Sequence, residues 1–204
     1  MLPPLLVLAA YLLGSLSFAV IVSRTMGLAD PRDYGSGNPG ATNVLRSGRK
    51  LAALLTLVGD ALKGVVAVAV ARLLNLEEPW LAAVAIAVTV GHMWPVFFSF
   101  VGGKGVATAA GVLLTLDWRV GLIALGVWLL MAALFRISSL AALTAAVAAP
   151  IACWWLLPGH PALFGAVLAI AALLLQRHKQ NLLNLIAGRE SKIGEKAKTA
   201  GEEG

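Results

Sequence analysis

Seven apolar runs, parted by short polar connections, govern what this chain can become. They are Leu2–Val22, Leu51–Leu74, Trp80–Phe100, Val106–Leu116, Val120–Phe135, Leu140–Leu157 and Ala162–Leu175. A bilayer-spanning helix needs about 20 mostly apolar residues. Three of the runs are that long, and four must borrow residues from their flanks. Val106–Leu116 is the shortest, and a re-entrant segment is the alternative reading for it. A soluble domain needs polar cover for its surface, and only 13% of these 204 residues are charged while 59% are hydrophobic. The same hydrophobicity excludes disorder. The chain therefore reads as one membrane-embedded domain over residues 1–204, an all-α integral membrane protein with a short polar tail at about 191–204.

The scarce charges give the orientation. Arg24, Arg32, Arg46, Arg49 and Lys50 share the first connection, Lys104 lies in the third and Arg136 in the fifth. Arg177, Lys179, Arg189, Lys192, Lys196 and Lys198 follow the last run. Thirteen of 16 positive residues thus fall on one side; Arg72 and Arg119 fall on the other, and Lys63 lies within a run. The positive-inside bias puts the first group in the cytoplasm. It predicts a seven-transmembrane-helix bundle with the N-terminus outside and the C-terminus cytoplasmic. The first positive residue, Arg24, comes after the first run, which is the reverse of a cleaved signal. The basic balance is dispersed among apolar stretches, so no nucleic-acid partner is expected. Cys153 is the sole cysteine, within a run, and reads as a small core or lipid-facing residue. His160, in Pro158-Gly159-His160-Pro161, reads as a turn residue on the outer side.

Three polar segments on the predicted cytoplasmic side carry the chemistry. The first is Gly35-Ser36-Gly37-Asn38-Pro39-Gly40-Ala41-Thr42-Asn43-Val44-Leu45-Arg46. Its glycines and proline make tight turns that expose backbone N–H groups. Ser36, Asn38, Thr42 and Asn43 add neutral hydrogen-bonding groups, and Arg46 adds a forked cation suited to phosphate. Twenty-seven residues from Arg24 to Lys50 is long for a connection in a compact bundle, and such loops are usually functional or disordered.

The second comprises Gly91-His92 and then Gly102-Gly103-Lys104-Gly105-Val106-Ala107-Thr108. Glycines at a helix start let phosphate oxygens reach free N–H groups, and Lys104 supplies counter-charge. The third is His178-Lys179-Gln180-Asn181, followed by Gly188-Arg189-Glu190. On a continuing helix His178 and Asn181 share a face, while Arg177 and Lys179 fit a basic flank of a span. Within the second run Asp60 and Lys63 are three apart and can neutralise each other. His92 admits either packing or function, and Ser139 in Arg136-Ile137-Ser138-Ser139 can add a hydroxyl to the same face. No spacing suggests a metal site.

In order and on one membrane face, these three segments resemble the bacterial acyl-phosphate:glycerol-3-phosphate acyltransferase family, called PlsY. The resemblance covers almost the whole chain. It implies a seven-helix enzyme of the cytoplasmic (inner) membrane, with its site facing the cytoplasm. It implies acyl transfer from acyl phosphate to the 1-hydroxyl of glycerol 3-phosphate, giving lysophosphatidic acid and inorganic phosphate. No cofactor and no metal are expected. Membrane lipid surrounds such a protein, and a transient contact with the soluble enzyme that makes acyl phosphate is a further expectation. Ser36, Arg46, Lys104, His178 and Asn181 are the expected catalytic set. Asn38, Thr42, Asn43, Gly102, Gly103, Gly105, Thr108 and Ser139 are expected to bind substrate, and Glu190, Asp60 and Lys63 to support structure.

Rival readings are poorer. Membrane acyltransferases of the H-x4-D type need an aspartate five residues after a histidine; Phe97, Gly165 and Leu183 stand there. The four aspartates are too scattered for a CDP-alcohol phosphotransferase. A small transporter of an anionic solute is the alternative that Asp60, Lys63 and His92 keep open. Transporters place their sites near the midplane, often between internal repeats. Here the polar groups gather at one face and no repeat is evident.

Overall fold

A computed structural model describes residues 1–195; the segment Ala197–Gly204 of the expected tail lies outside the described residues. The described chain is helical: α1 Leu2–Gly14, α2 Phe18–Thr25, α3 Ala41–Leu45, α4 Lys50–Leu73, α5 Glu78–Met93, α6 Val106–Leu116, α7 Trp118–Phe135, α8 Ser138–Leu156, α9 Pro161–Arg177 and α10 Lys179–Ile186. Among the described residues four helices are long and apolar enough to cross a membrane, the second of them being α5 with the turn that extends it to Phe98. The number becomes six if the bent pairs α1–α2 and α9–α10 each count as one span. Leu62, Leu122, Leu130, Leu134, Ile151 and Trp154 are exposed on the outside of the bundle. In water that apolar surface would drive association; in lipid it is the solvated face.

Two expectations about helices are corrected. The first run is not one helix. It breaks at Ser15–Ser17, and α2 leaves α1 at 44°. Ser15 Oγ donates to Tyr11 O at 2.9 Å, and Val96 N donates to Ser15 Oγ at 3.3 Å, so the break is pinned to the segment after α5. Nor does the last helix continue past His178: α10 turns away from α9 by 57° there. The short α6 covers the run read from the sequence, with no residues borrowed.

Helix lengths recess the site. α4 has 24 residues, whereas α5 has 16 and α6 has 11. The C-terminal turn of α5 and the start of α6 meet α4 near Asp60, ten residues in from Lys50. At 1.5 Å per residue that is ~15 Å below the α4 start. Close helix approach holds the wall around this recess. A β-carbon at Gly14 would fall 2.2 Å from Val88 O, and one at Gly91 would fall 2.2 Å from Tyr11 O. Only glycine lets α1 and α5 cross at this distance. Val68, Val84, Val88, Val112 and Cys153, from α4, α5, α6 and α8, fill the core of the bundle.

The opposite end of the bundle is shut by caps. Asp117 accepts from Arg119 N and Val120 N at the start of α7. Glu78 Oε1 accepts from Ala162 N and Leu163 N at the start of α9, while its Oε2 lies 2.8 Å from His160 Nδ1. His160 is a half-exposed turn residue that orients this cap.

Candidate active site

At the recessed end the long first connection folds over α4. Asn43 is its staple: Oδ1 accepts from Ser36 N at 3.0 Å, and Nδ2 donates to Pro31 O at 2.7 Å and to Tyr34 O at 3.1 Å. One turn further along, Arg46 projects toward the C-terminal segment, where Nη2 donates to Ser191 Oγ. At the base of the connection Asp30 holds Arg32 through two contacts, at 2.9 and 2.7 Å. The Arg32 guanidinium lies over the Phe98 ring, which ties this connection to the segment after α5.

The glycine segment enters from the second side. Arg177 Nη2 donates to Gly102 O at 2.8 Å and to Gly103 O at 3.2 Å, and its guanidinium covers the Trp94 ring at 5.4 Å. With those carbonyls held, Lys104 points inward and its Nζ donates to Asn181 Oδ1 at 2.5 Å. α6 begins two residues later. Val106, Ala107 and Thr108 form its first turn, whose N–H groups have no intrahelical acceptor, so a helix N-terminus faces the cavity.

Asn181 is fixed on its other side. Its Nδ2 donates to Glu190 Oε1 at 2.7 Å, and the same oxygen accepts from Ser139 Oγ at 2.7 Å. Lys104, Asn181, Glu190 and Ser139 thus form one chain across three connections. Glu190 decides the amide orientation, because a carboxylate only accepts. The Asn181 oxygen must therefore face the lysine.

His178 stands at the α9–α10 bend, buried, with Nδ1 2.8 Å from Leu174 O. A carbonyl only accepts, so Nδ1 carries the proton and Nε2 keeps its lone pair. Burial disfavours the imidazolium and pushes its pKa down to about 4; the Leu174 carbonyl partly opposes this. Burial also holds the Lys104 ammonium below its ordinary value; Glu190 pulls it back up, while Arg177 and Arg46 push it down.

These groups surround one cavity of about 460 Å³. Ser36, Asn38, Thr42, Asn43, Arg46, Lys104, Gly105, Ser139, His178, Asn181 and Glu190 all line it, and so do Asp60 and His92. Below them the walls become apolar. α8 turns Ala142, Ala145, Ala146 and Ala149 inward at helical spacing, opposite Leu54, Leu57, Leu113, Trp128 and Leu174. The alanines are what leave room.

Three expected binding residues stand behind the surface. Gly102 and Gly103 shape the loop and give their carbonyls to Arg177. Thr108 is fully buried against α4, and its Oγ1 has no partner among the described residues. Asp60 and Lys63 pair at 2.9 Å inside the bundle. Arg177 and Ser191 were not singled out by the sequence. Arg177 looks like any basic residue ending a span, and Ser191 carries no motif. Among the described residues no group of three His, Cys, Asp or Glu side chains is placed to hold a metal ion.

Comparisons with known proteins agree with this geometry. The family described as Glycerol-3-phosphate acyltransferase matches residues 4–188. The glycerol-3-phosphate acyltransferase of Neisseria meningitidis serogroup A is 62% identical over 194 residues, covering 93% of this chain and 96% of the relative. That of Chromobacterium violaceum is 58% identical, covering 93% and 94%. A solved structure of PlsY (YgiH), an integral membrane glycerol 3-phosphate acyltransferase, superimposes with a TM-score of 0.89 at 38% identity. It covers 95% of this chain and 96% of that one, and it is the glycerol 3-phosphate form. The lysophosphatidic acid form gives a TM-score of 0.87 at 36% identity, covering 94% and 95%. With its three polar segments gathered around one recessed cavity in a membrane-embedded helical bundle, the chain belongs to the glycerol-3-phosphate acyltransferase family.

Proposed function

We propose that the chain transfers a fatty acyl group from acyl phosphate to the 1-hydroxyl of glycerol 3-phosphate, at the cytoplasmic face of the inner membrane. The observation that carries this reading is the cavity itself. Its mouth holds Arg46, Lys104 and a helix N-terminus, all suited to phosphate. Its depth is apolar and suits an acyl chain. A water-soluble phosphate and a lipid-soluble acyl group meet where the two linings join. Seven crossings, N-terminus out and C-terminus in, fit the element order and the 13-to-2 distribution of positive charge.

In the reaction the hydroxyl oxygen attacks the acyl carbonyl. A C–O bond forms, the bond from carbonyl carbon to phosphate oxygen breaks, and phosphate leaves with the electron pair. Acyl phosphate is already activated, so the protein's task is to position the partners and stabilise charge on carbonyl and phosphate oxygens. Lys104, Arg46 and the N–H groups of the loop do this. The hydroxyl proton needs an acceptor. His178 is neutral with Nε2 free, yet a pKa of about 4 makes it a weak base. A phosphate oxygen, with a second pKa near 6, is the stronger acceptor. Proton transfer to substrate phosphate, with His178 orienting the reactants, follows from that difference. Arg24, Arg49, Lys50, Lys179 and Arg189 are exposed, in the same segments that carry the site, and suit a transient contact with an acidic face of the soluble enzyme that makes acyl phosphate.

Purified protein, acyl phosphate and glycerol 3-phosphate should yield lysophosphatidic acid and inorganic phosphate without acyl-CoA or acyl carrier protein. Folded protein that forms no such product would overturn the proposal. Uptake of glycerol 3-phosphate into proteoliposomes lacking any acyl donor would favour a transporter instead.

A further inference from the structure

The loop that carries Lys104 is supported from beneath by groups that the reaction scheme does not use. Gly103 N donates to His92 O at 3.1 Å. A β-carbon on Gly103 would lie 2.2 Å from His92 Nε2, 2.8 Å from Cε1 and 3.1 Å from Pro39 O. The imidazole therefore lies flush against the Gly103 α-carbon. The His92 side chain is only 6% exposed, so its ring has little freedom to withdraw.

The ring is backed in turn. His92 Nδ1 faces Asp60 Oδ1 at 3.4 Å, and that oxygen lies 2.9 Å from Lys63 Nζ. Lys63 Nζ donates to Leu16 O, in the break between α1 and α2, at 2.8 Å. A continuous series of contacts leads from that break through Lys63, Asp60 and His92 to Gly103. Burying three ionisable side chains inside a membrane bundle is costly. Packing alone could be had from apolar residues of similar size, without that cost.

We infer that His92, backed by Asp60, is a positioning residue for glycerol 3-phosphate binding: its ring sets the height of Gly103 and thereby the place of Lys104. The inference rests on the reading of Lys104 as a phosphate-binding residue. His92 acts through the loop, so its loss weakens capture of glycerol 3-phosphate more than it slows turnover.

The close approach supplies the test. Gly103→Ala places a methyl group into the ring, so the loop must lift. In a His92→Ala background the ring is gone, and the nearest remaining atom, the Pro39 oxygen, need give only a few tenths of an ångström. Steady-state kinetics on wild type, His92→Ala, Gly103→Ala and the double variant should show KM for glycerol 3-phosphate raised at least tenfold by Gly103→Ala alone. In the His92→Ala background the same change should raise it less than threefold further, with kcat within about threefold throughout. Two effects on KM that multiply would overturn the inference, as would losses confined to kcat. If His92→Ala does not fold, His92→Asn, which removes the reach of the ring but keeps an amide, replaces it in the same cycle. Lys104→Ala measured alongside separates the two claims. Wild-type kinetics for that variant would overturn the phosphate site itself, whereas an impaired Lys104→Ala with multiplying effects would overturn only the role of His92.

Discussion

Glu190 offers the sharpest perturbation of the site, because one of its oxygens serves two donors. Glu190→Ala leaves Asn181 Nδ2 and Ser139 Oγ without their shared acceptor, both bonds being 2.7 Å in the intact protein. A hydrogen bond to a charged group contributes about 1.5–3 kcal/mol. The carboxylate is only part-buried, so the lower figure applies to each bond, about 3 kcal/mol for the pair. If this energy holds Asn181 and Lys104 in reacting geometry, its loss lowers kcat/KM by roughly 100-fold, at 1.36 kcal/mol per tenfold. Glu190→Gln keeps an acceptor oxygen but loses the charge. Charge-assisted bonds are about twice as strong as neutral ones, so about half the energy remains and the loss is roughly tenfold.

The assay is release of inorganic phosphate from acyl phosphate at varied glycerol 3-phosphate, with a melting curve for each variant. The alanine variant should also lose activity at lower alkaline pH than wild type. Without the nearby carboxylate, burial pushes Lys104 further down, and its charged form is lost sooner as pH rises. Equal loss in Gln and Ala variants would mean that charge alone matters. Wild-type kinetics for Glu190→Ala would refute the clamp altogether.

Lys104→Ala should raise KM for glycerol 3-phosphate at least tenfold, read by initial rates; an unchanged KM would remove the residue from the phosphate site. His178 is neutral above about pH 4, so the low-pH limb that differs between wild type and His178→Asn should lie close to 4. A difference centred near 6.5 would contradict the buried, neutral imidazole. Ala145→Phe should fill the apolar depth and cut kcat/KM for long acyl donors at least tenfold more than for short ones, which a chain-length series would reveal; equal losses would place the acyl group elsewhere. Gly91→Ala, whose β-carbon would meet Tyr11 O at 2.2 Å, should destabilise the bundle by about 1–3 kcal/mol, and an unchanged melting temperature in detergent would argue against the tight α1–α5 crossing.

The apolar runs outlined α4, α7 and α8 to within two residues, and α6 without any difference, because uninterrupted hydrophobic length is itself the signal for a buried or lipid-facing helix. The break at Ser15–Ser17 was hidden for the same reason. Two serines in an apolar stretch barely lower its hydropathy, and the partners that stabilise the break, Val96 N and Lys63 Nζ, come from distant segments. His178 and Asn181 were readable as a pair, but the bend between their helices was not. Most polar residues that line the cavity belong to the motifs read from the sequence, whereas its apolar lining, such as Ala142, Ala145 and Trp128, carries no motif. Arg177 was missed because its partners are two backbone carbonyls, which have no letter in the sequence. The contact of His92 with Gly103 was equally silent, since a glycine kept for closeness looks like a glycine kept for a turn.

The segment after α10 finally bears on when the protein becomes active. Glu190 reaches Asn181 and Ser139, Ser191 meets Arg46, and Ile193 N donates to Arg136 O at 2.6 Å. These few residues tie together the first connection, the start of α8 and α10. They are also translated after every described helix of the bundle. A nascent chain can therefore insert and pack all its helices while its site is still open. The site is closed only once this segment docks, so packing of the described helices can precede completion of the site by the order of synthesis.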